Sequence, residues 1–191
     1  THFSVLYTLK SYIKFILKST NEHGVHSPFV YSLLTKCIYN KQHKDTKKHW
    51  ISKKKQIIPY KIASYFKSNE ILVVGNLKNA ASHFSLARPN SCVRSVEDFF
   101  ETQTSEKQFD LVYINTTNSS VNLVSLFEKL LRSAQKNCVF IFEGIYTNTA
   151  NTKVWQHMVA SQDVTVSIDG FYFGLVFLKK GQEKQHFTLR L

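Results

Sequence analysis

The chain is poor in glycine, with six in 191 residues, and poor in acid, with 13 Asp and Glu against 25 Lys and Arg. The shortage of glycine bears first on function. A loop that cradles a nucleotide normally carries two or three glycines so that backbone can approach the ligand; the one candidate loop here, after Gly75, has a single one. Cysteine is scarce as well. Cys37, Cys92 and Cys138 are far apart and odd in number, which points to buried free thiols in a reducing compartment rather than a disulfide framework or a metal site. No apolar run approaches the ~18 residues that a membrane span needs. The start, Thr1-His2-Phe3, lacks the basic-then-apolar pattern of a signal segment, so a cytoplasmic protein is expected.

Hydrophobic residues make up 43% of the chain and aromatics 14%, which suits a globular domain with a full core and a small appendage. The net charge of +12 is unevenly placed. Residues 1–67 hold thirteen lysines against Glu22 and Asp45, a net +11, while residues 68–191 are close to neutral. The division expected is a basic helical N-terminal extension over 1–67 and an α/β domain over 68–191.

The rest is organised around Glu70-Ile71-Leu72-Val73-Val74-Gly75-Asn76, an unbroken apolar run closed by glycine and followed by a helical pattern over 79–87. Such a run reads as a parallel strand buried on both faces. In open sheets of this kind ligands bind beyond the carboxyl ends of the strands, so the turn at Gly75 marks the expected site. Strand and helix patterns then alternate: strand 92–96, helix 98–106, strand 109–114, helix 121–135, strand 138–142 and helix 151–160. Alternation means βαβ units and a doubly wound, mostly parallel sheet. The pattern ends differently, in two strands, 164–168 and 172–178, joined by a tight turn at Asp169-Gly170, hence an antiparallel hairpin.

Before the domain, residues 3–18 repeat apolar side chains at helical spacing (Leu6, Leu9, Ile13, Ile16, Leu17), with Lys10, Lys14 and Lys18 on another face. Such a helix could lie on a membrane surface or a nucleic acid. The expectation is the commoner case, a helix docked on its own domain with a solvated lysine face. Ser27-Pro28 is a helix start, with a hydroxyl cap and proline at the first position. His23 and His26 precede it without a Cys or acidic cluster nearby, so no metal is expected there. Residues Lys41 to Lys55 form the most basic stretch. It reads as a solvated linker or, with Trp50 as a stacking surface, as a nucleic-acid contact. Helical spacing resumes at Pro59 and runs to Lys67.

The topology, with an acidic residue ending the second strand, resembles the class I S-adenosylmethionine-dependent methyltransferase fold. "HGVHSPFVYSLLTKCIY" near the start, with its HGxHSPF motif, and "VTVSIDGFYFGLVFLKKGQEKQHFTLRL" at the finish are similar to one family of bacterial O-methyltransferase-like proteins. The resemblance implies S-adenosylmethionine as cofactor, bound near Gly75, Asn76 and Glu97, the last in the place of the carboxylate that holds ribose hydroxyls. It puts Asn115 and Glu143 on the acceptor side as the candidate catalytic residues. It also implies a shortened, degenerate form. Val73 stands where the family has an acid, and Asn76-Leu77-Lys78-Asn79 replaces a small glycine-bearing loop. Asn115 replaces an aspartate that is a metal ligand in some relatives, and Glu143-Gly144 replaces an acidic pair. Only 13 positions separate Glu97 from Asp110, enough for one crossover but not for a third strand as well. Three functions stand: a divergent methyltransferase with weak or lost cofactor binding, a non-catalytic module binding RNA or another polyanion, and a protein-interaction scaffold.

Overall fold

The run at residue 71 becomes strand β1 (Glu70–Val74), in which Ile71, Leu72, Val73 and Val74 are buried on both faces. The computed structural model describes residues 2–40, 54–97, 109–115, 122–179 and 181–191. β1 lies between β2 (Cys92–Ser95) and β3 (Phe109–Asn115), parallel to both, and β3 pairs in parallel with β4 (Ala134–Glu143). Beyond β4, strand β6 (Phe173–Phe177) runs antiparallel to β4 and to β5 (Val166–Asp169), and β7 (Gln185–Thr188) pairs in parallel with β5. The seven-stranded order is β2-β1-β3-β4-β6-β5-β7. The fold is thus α/β, mostly parallel, with an antiparallel hairpin near its end.

Alternate residues of the strands face two separate apolar layers. Ile71, Val73, Leu111, Tyr113 and Ile141 pack with α2 (Pro28–Leu33), α3 (Lys54–Phe66) and α4 (Leu77–Ala87), through Val30, Leu33, Ile62, Ala63 and Phe84. Leu72, Val74, Val112, Phe140 and Phe142 pack with α5 (Leu123–Ser133) and α6 (Thr149–Ala160). In α5 the buried positions Leu123, Leu126, Phe127 and Leu130 keep helical spacing, and the Asn122 side chain accepts from Ser125 N–H at its start. Helices on both faces make the sheet doubly wound. Two of them, α2 and α3, come from the stretch before residue 68, and the all-lysine third therefore supplies part of one layer.

Ser27 caps α2 and Pro28 opens it, as its sequence predicts. After Leu33 the helix widens into a π turn, Leu34–Ile38. All three cysteines are free. No described helix is long and apolar enough to cross a membrane.

Four expectations need correction. Helix α3 starts at Lys54 rather than Pro59, and holds Pro59 inside it. β4 starts at Ala134 rather than Cys138, because Ala134 pairs with Phe109 ahead of a register shift. Asp169 ends β5 opposite Gly174, and the hairpin turns on Phe171 and Tyr172 rather than on Asp169-Gly170. There Phe171 adopts φ +67, held by the Asp169 carboxylate accepting its N–H at 2.9 Å.

The fourth concerns α1 (His2–Lys18). It docks on the domain, but through the face opposite to its apolar stripe. Tyr7 Oη donates to Thr152 Oγ1 at 2.8 Å, Thr8 Oγ1 donates to the Tyr146 carbonyl at 3.0 Å, and Phe15 packs on Phe171. Leu6, Leu9, Ile13, Ile16 and Leu17 are exposed, Leu17 by 81%. Specific hydroxyl bonds and the Phe171 ring decide the orientation, where hydrophobicity alone would have reversed it. Thr20 then bridges to Leu189 beside β7, a strand with no clear pattern in the sequence. The helix expected at 98–106, any strand within 98–108 and most of the Lys41 to Lys55 stretch fall outside the described residues.

Candidate functional site

Strands β1, β2, β3 and β4 run in one direction, so their carboxyl ends share one rim of the sheet. The sequence-predicted residues gather there. Val73 pairs with Ser95, and Gly75 and Glu97 each follow two residues further on, just past the ends of neighbouring strands. Asn115 and Glu143 are direct partners in the register of β3 and β4.

Gly75 leaves β1 with φ +107, a conformation that favours glycine. A Cβ built on it would run into the backbone carbonyl oxygen of Asn115. On the side where a side chain would stand, Gly75 is thus in close contact with the neighbouring strand. Asn76 is exposed, and its carbonyl accepts from Ala80 N–H as α4 begins. Because α4 starts at Leu77, directly after this turn, no wider loop separates strand from helix. Val73, in the place of the family's acid, is fully buried in the core. Glu97 is exposed at the rim.

At the ends of β3 and β4, Asn115 Nδ2 donates to Glu143 Oε2 at 2.9 Å, and Tyr113 Oη donates to the same oxygen. Tyr113 is a residue that sequence reasoning missed. Its signal was its position two residues before Asn115 on one strand, which puts both side chains on the same face. Burial pushes its phenol well above the usual range, and the charge and hydrogen bond of Glu143 push it further, so it stays protonated and donating. Phe84 of α4 meets its ring edge-on at 5.6 Å. The sequence-predicted pair is thus brought together, with Tyr113, in a Tyr113–Glu143–Asn115 cluster.

For a hard cation this donor set offers one carboxylate, one amide and one protonated phenol, whereas such ions favour several anionic oxygens. Among the described residues no group of three His, Cys, Asp or Glu could hold a metal ion. His23 contacts its neighbour Glu22 at 3.7 Å, and His26 is exposed. For S-adenosylmethionine, the exposed Glu97 is compatible with the ribose contact that the resemblance implies, while the buried Val73 offers no carboxylate at the methionine end.

A second cluster on the same rim draws two of its residues, Asp169 and His186, from the C-terminal segment that carries the family resemblance. Asp169, at the end of β5, is 4% exposed and accepts from Tyr146 Oη as well as from Phe171 N–H. Burial raises its carboxyl above the usual range against both hydrogen bonds. His186 of β7 lies near it, with Nδ1 2.8 Å from Ser167 Oγ. A cavity of about 440 Å³ between this cluster and the inner face of α1 is lined by Tyr7, Lys14, Tyr146, Gln156, Asp169 and His186.

No protein-family model and no curated protein matches the sequence. Solved structures do match its fold. The cofactor-bound structure of Rv0187 from MTB is 15% identical, with a TM-score of 0.53 over 69% of this chain and 82% of that one. A methyltransferase from Geobacter sulfurreducens is 14% identical, with a TM-score of 0.52 over 68% and 80% of the two chains. The S-adenosylhomocysteine-bound methyltransferase PaMTH1 from Podospora anserina is 11% identical, with a TM-score of 0.50 over 73% and 83%. At such identities the likeness shows the fold, a Rossmann-like methyltransferase fold, and nothing of the chemistry.

Proposed function

We propose that this chain is a divergent S-adenosylmethionine-dependent methyltransferase-like protein of the cytoplasm in which cofactor binding is weak or lost. The observation that carries the reading is the turn at Gly75: the side where a side chain would stand is in close contact with the Asn115 carbonyl, and Val73 replaces a carboxylate with a buried apolar side chain. Methyl transfer asks a protein mainly for positioning, with donor sulfur, methyl and acceptor in line. That positioning is what the turn has given up. What remains is an acceptor side in which Asn115 and Tyr113 orient the Glu143 carboxylate.

Calorimetric titration with S-adenosylmethionine and its demethylated product tests this. Binding weaker than about 100 μM, or none, is expected, which caps the interaction at roughly −5.5 kcal/mol. Low-micromolar affinity would overturn the reading, and Glu97→Ala would then weaken binding through the ribose contact. The net +11 of residues 1–67 favours a second reading, a polyanion-binding role centred on Lys41 to Lys55 that needs no cofactor.

A further inference from the structure

Helix α1 turns its apolar stripe away from the protein. Val5, Leu6, Leu9, Ile13, Ile16 and Leu17 are between 39% and 81% exposed, and at 100° per residue they span an arc of roughly 120°. Single exposed apolar residues are ordinary, but six on one face of a helix mark an interaction surface. The orientation is fixed by contacts on the other side: Tyr7 with Thr152, Thr8 with Tyr146, Tyr12 and Phe15 with Phe171, and Arg190 Nη2 donating to the Ser19 carbonyl at 3.1 Å. Rolling the helix to bury the stripe would break all of them.

Charge tells what covers this face. The helix holds Lys10, Lys14 and Lys18, all exposed, and no acidic residue. The three follow one another at i, i+4 from the edge of the apolar arc toward the domain. Their flexible stems can carry the ammonium groups to a charged plane beside the helix. Lys10, at the edge of the arc, lies within roughly a Debye length of that plane, whereas Lys14 and Lys18 border the cavity under the helix and add to the field from farther away. A second copy of the same helix would bring lysines toward lysines with no acid to answer them. An anionic bilayer surface answers both features, with acyl chains for the apolar arc and headgroup charge for the lysines.

We propose that α1 docks the protein on anionic membrane surfaces as an interfacial helix, its apolar face in the acyl boundary and its inner face still holding the domain. The test is sedimentation of the whole chain with vesicles of phosphatidylcholine containing phosphatidylserine, beside vesicles of phosphatidylcholine alone. Wild type should pellet with the anionic vesicles, and raised salt should weaken this. The double variant Leu9→Glu, Ile13→Glu should lose at least about tenfold in partitioning, and Lys10→Gln with Lys14→Gln should lose several-fold on anionic vesicles only. All four side chains are exposed, so circular dichroism and Tm should stay at wild-type values. Wild type that stays in the supernatant would overturn the proposal, as would equal binding by the Glu variant. A dimer in light scattering that the Glu variant dissolves, with no vesicle binding, would assign the face to a second copy instead.

Discussion

Replacing Gly75 by alanine separates a glycine kept for the fold from one kept for a ligand. Two costs fall on the variant without any cofactor present. An L-residue at φ +107 is conformationally strained, by about 1–2 kcal/mol. The new Cβ also meets the Asn115 carbonyl oxygen, a backbone atom that cannot swing aside, and overpacking of this kind costs roughly 1–3 kcal/mol. Together they predict a loss of about 2–5 kcal/mol from a total of ~5–15. With a urea slope of ~2–3 kcal/mol per molar, the unfolding midpoint should fall by about 1–2 M. Gly181→Ala is the control: φ there is +75, yet nothing lies within 4 Å of its Cβ position, so only the conformational part applies. The difference between the two midpoints isolates the contact with Asn115. If Gly75→Ala unfolds within about 0.2 M of wild type, the turn has free space after all and the argument from close contact with Asn115 fails.

Two further outcomes are expected. Replacing Lys53, Lys54 and Lys55 by Gln should flatten the salt dependence of duplex DNA or RNA binding, on duplex DNA by nearly one unit of log–log slope for each phosphate that a lysine no longer neutralises; a slope unchanged by the triple variant in anisotropy titrations would remove the polyanion role. Because burial raises the Asp169 carboxyl, the folded protein keeps that proton at a pH where the unfolded chain, with a value of ~3.9, has released it. Its contribution to stability therefore falls as pH rises from the unfolded value through the raised folded one. Asp169→Asn should gain on wild type across that window, since Tyr146 can turn its hydroxyl to accept from the amide; parallel pH–stability curves for the two would refute it.

The sheet was legible because its signals are local. Ile71 to Val74 form a run too apolar for a half-exposed strand, and α5 repeats Leu123, Leu126, Phe127 and Leu130 on one face. Each states its burial without reference to the rest of the chain. What stayed hidden depends on partners distant in sequence. β7 is four residues, only partly buried, that become a strand by pairing with β5, and Thr165 accepts the Gln185 N–H that starts it. The hairpin turn looked like Asp169-Gly170 from composition; the structure instead spends Asp169 on holding Phe171 at positive φ, where its ring can gather Tyr12, Phe15 and Tyr146.

The candidate site divides in the same way, and the division bears on what the protein can do. Strand order and direction suffice to place Gly75, Glu97, Asn115 and Glu143 on one rim, since each follows or ends a parallel strand. They do not say whether the rim is open. That depends on lateral contacts: the Asn115 carbonyl under Gly75, and Tyr113 and Asn115 both spent on one oxygen of Glu143. Among the described residues, lateral contacts crowd the rim at β1 and β3, and the rim at β5 and β7 has a cavity under α1. A helix roofs that cavity with its inner face and exposes apolar side chains on its outer one. The cavity beneath α1, with the buried Asp169 carboxyl at its edge, is therefore a second place on this rim to seek a ligand, beside the Gly75 turn.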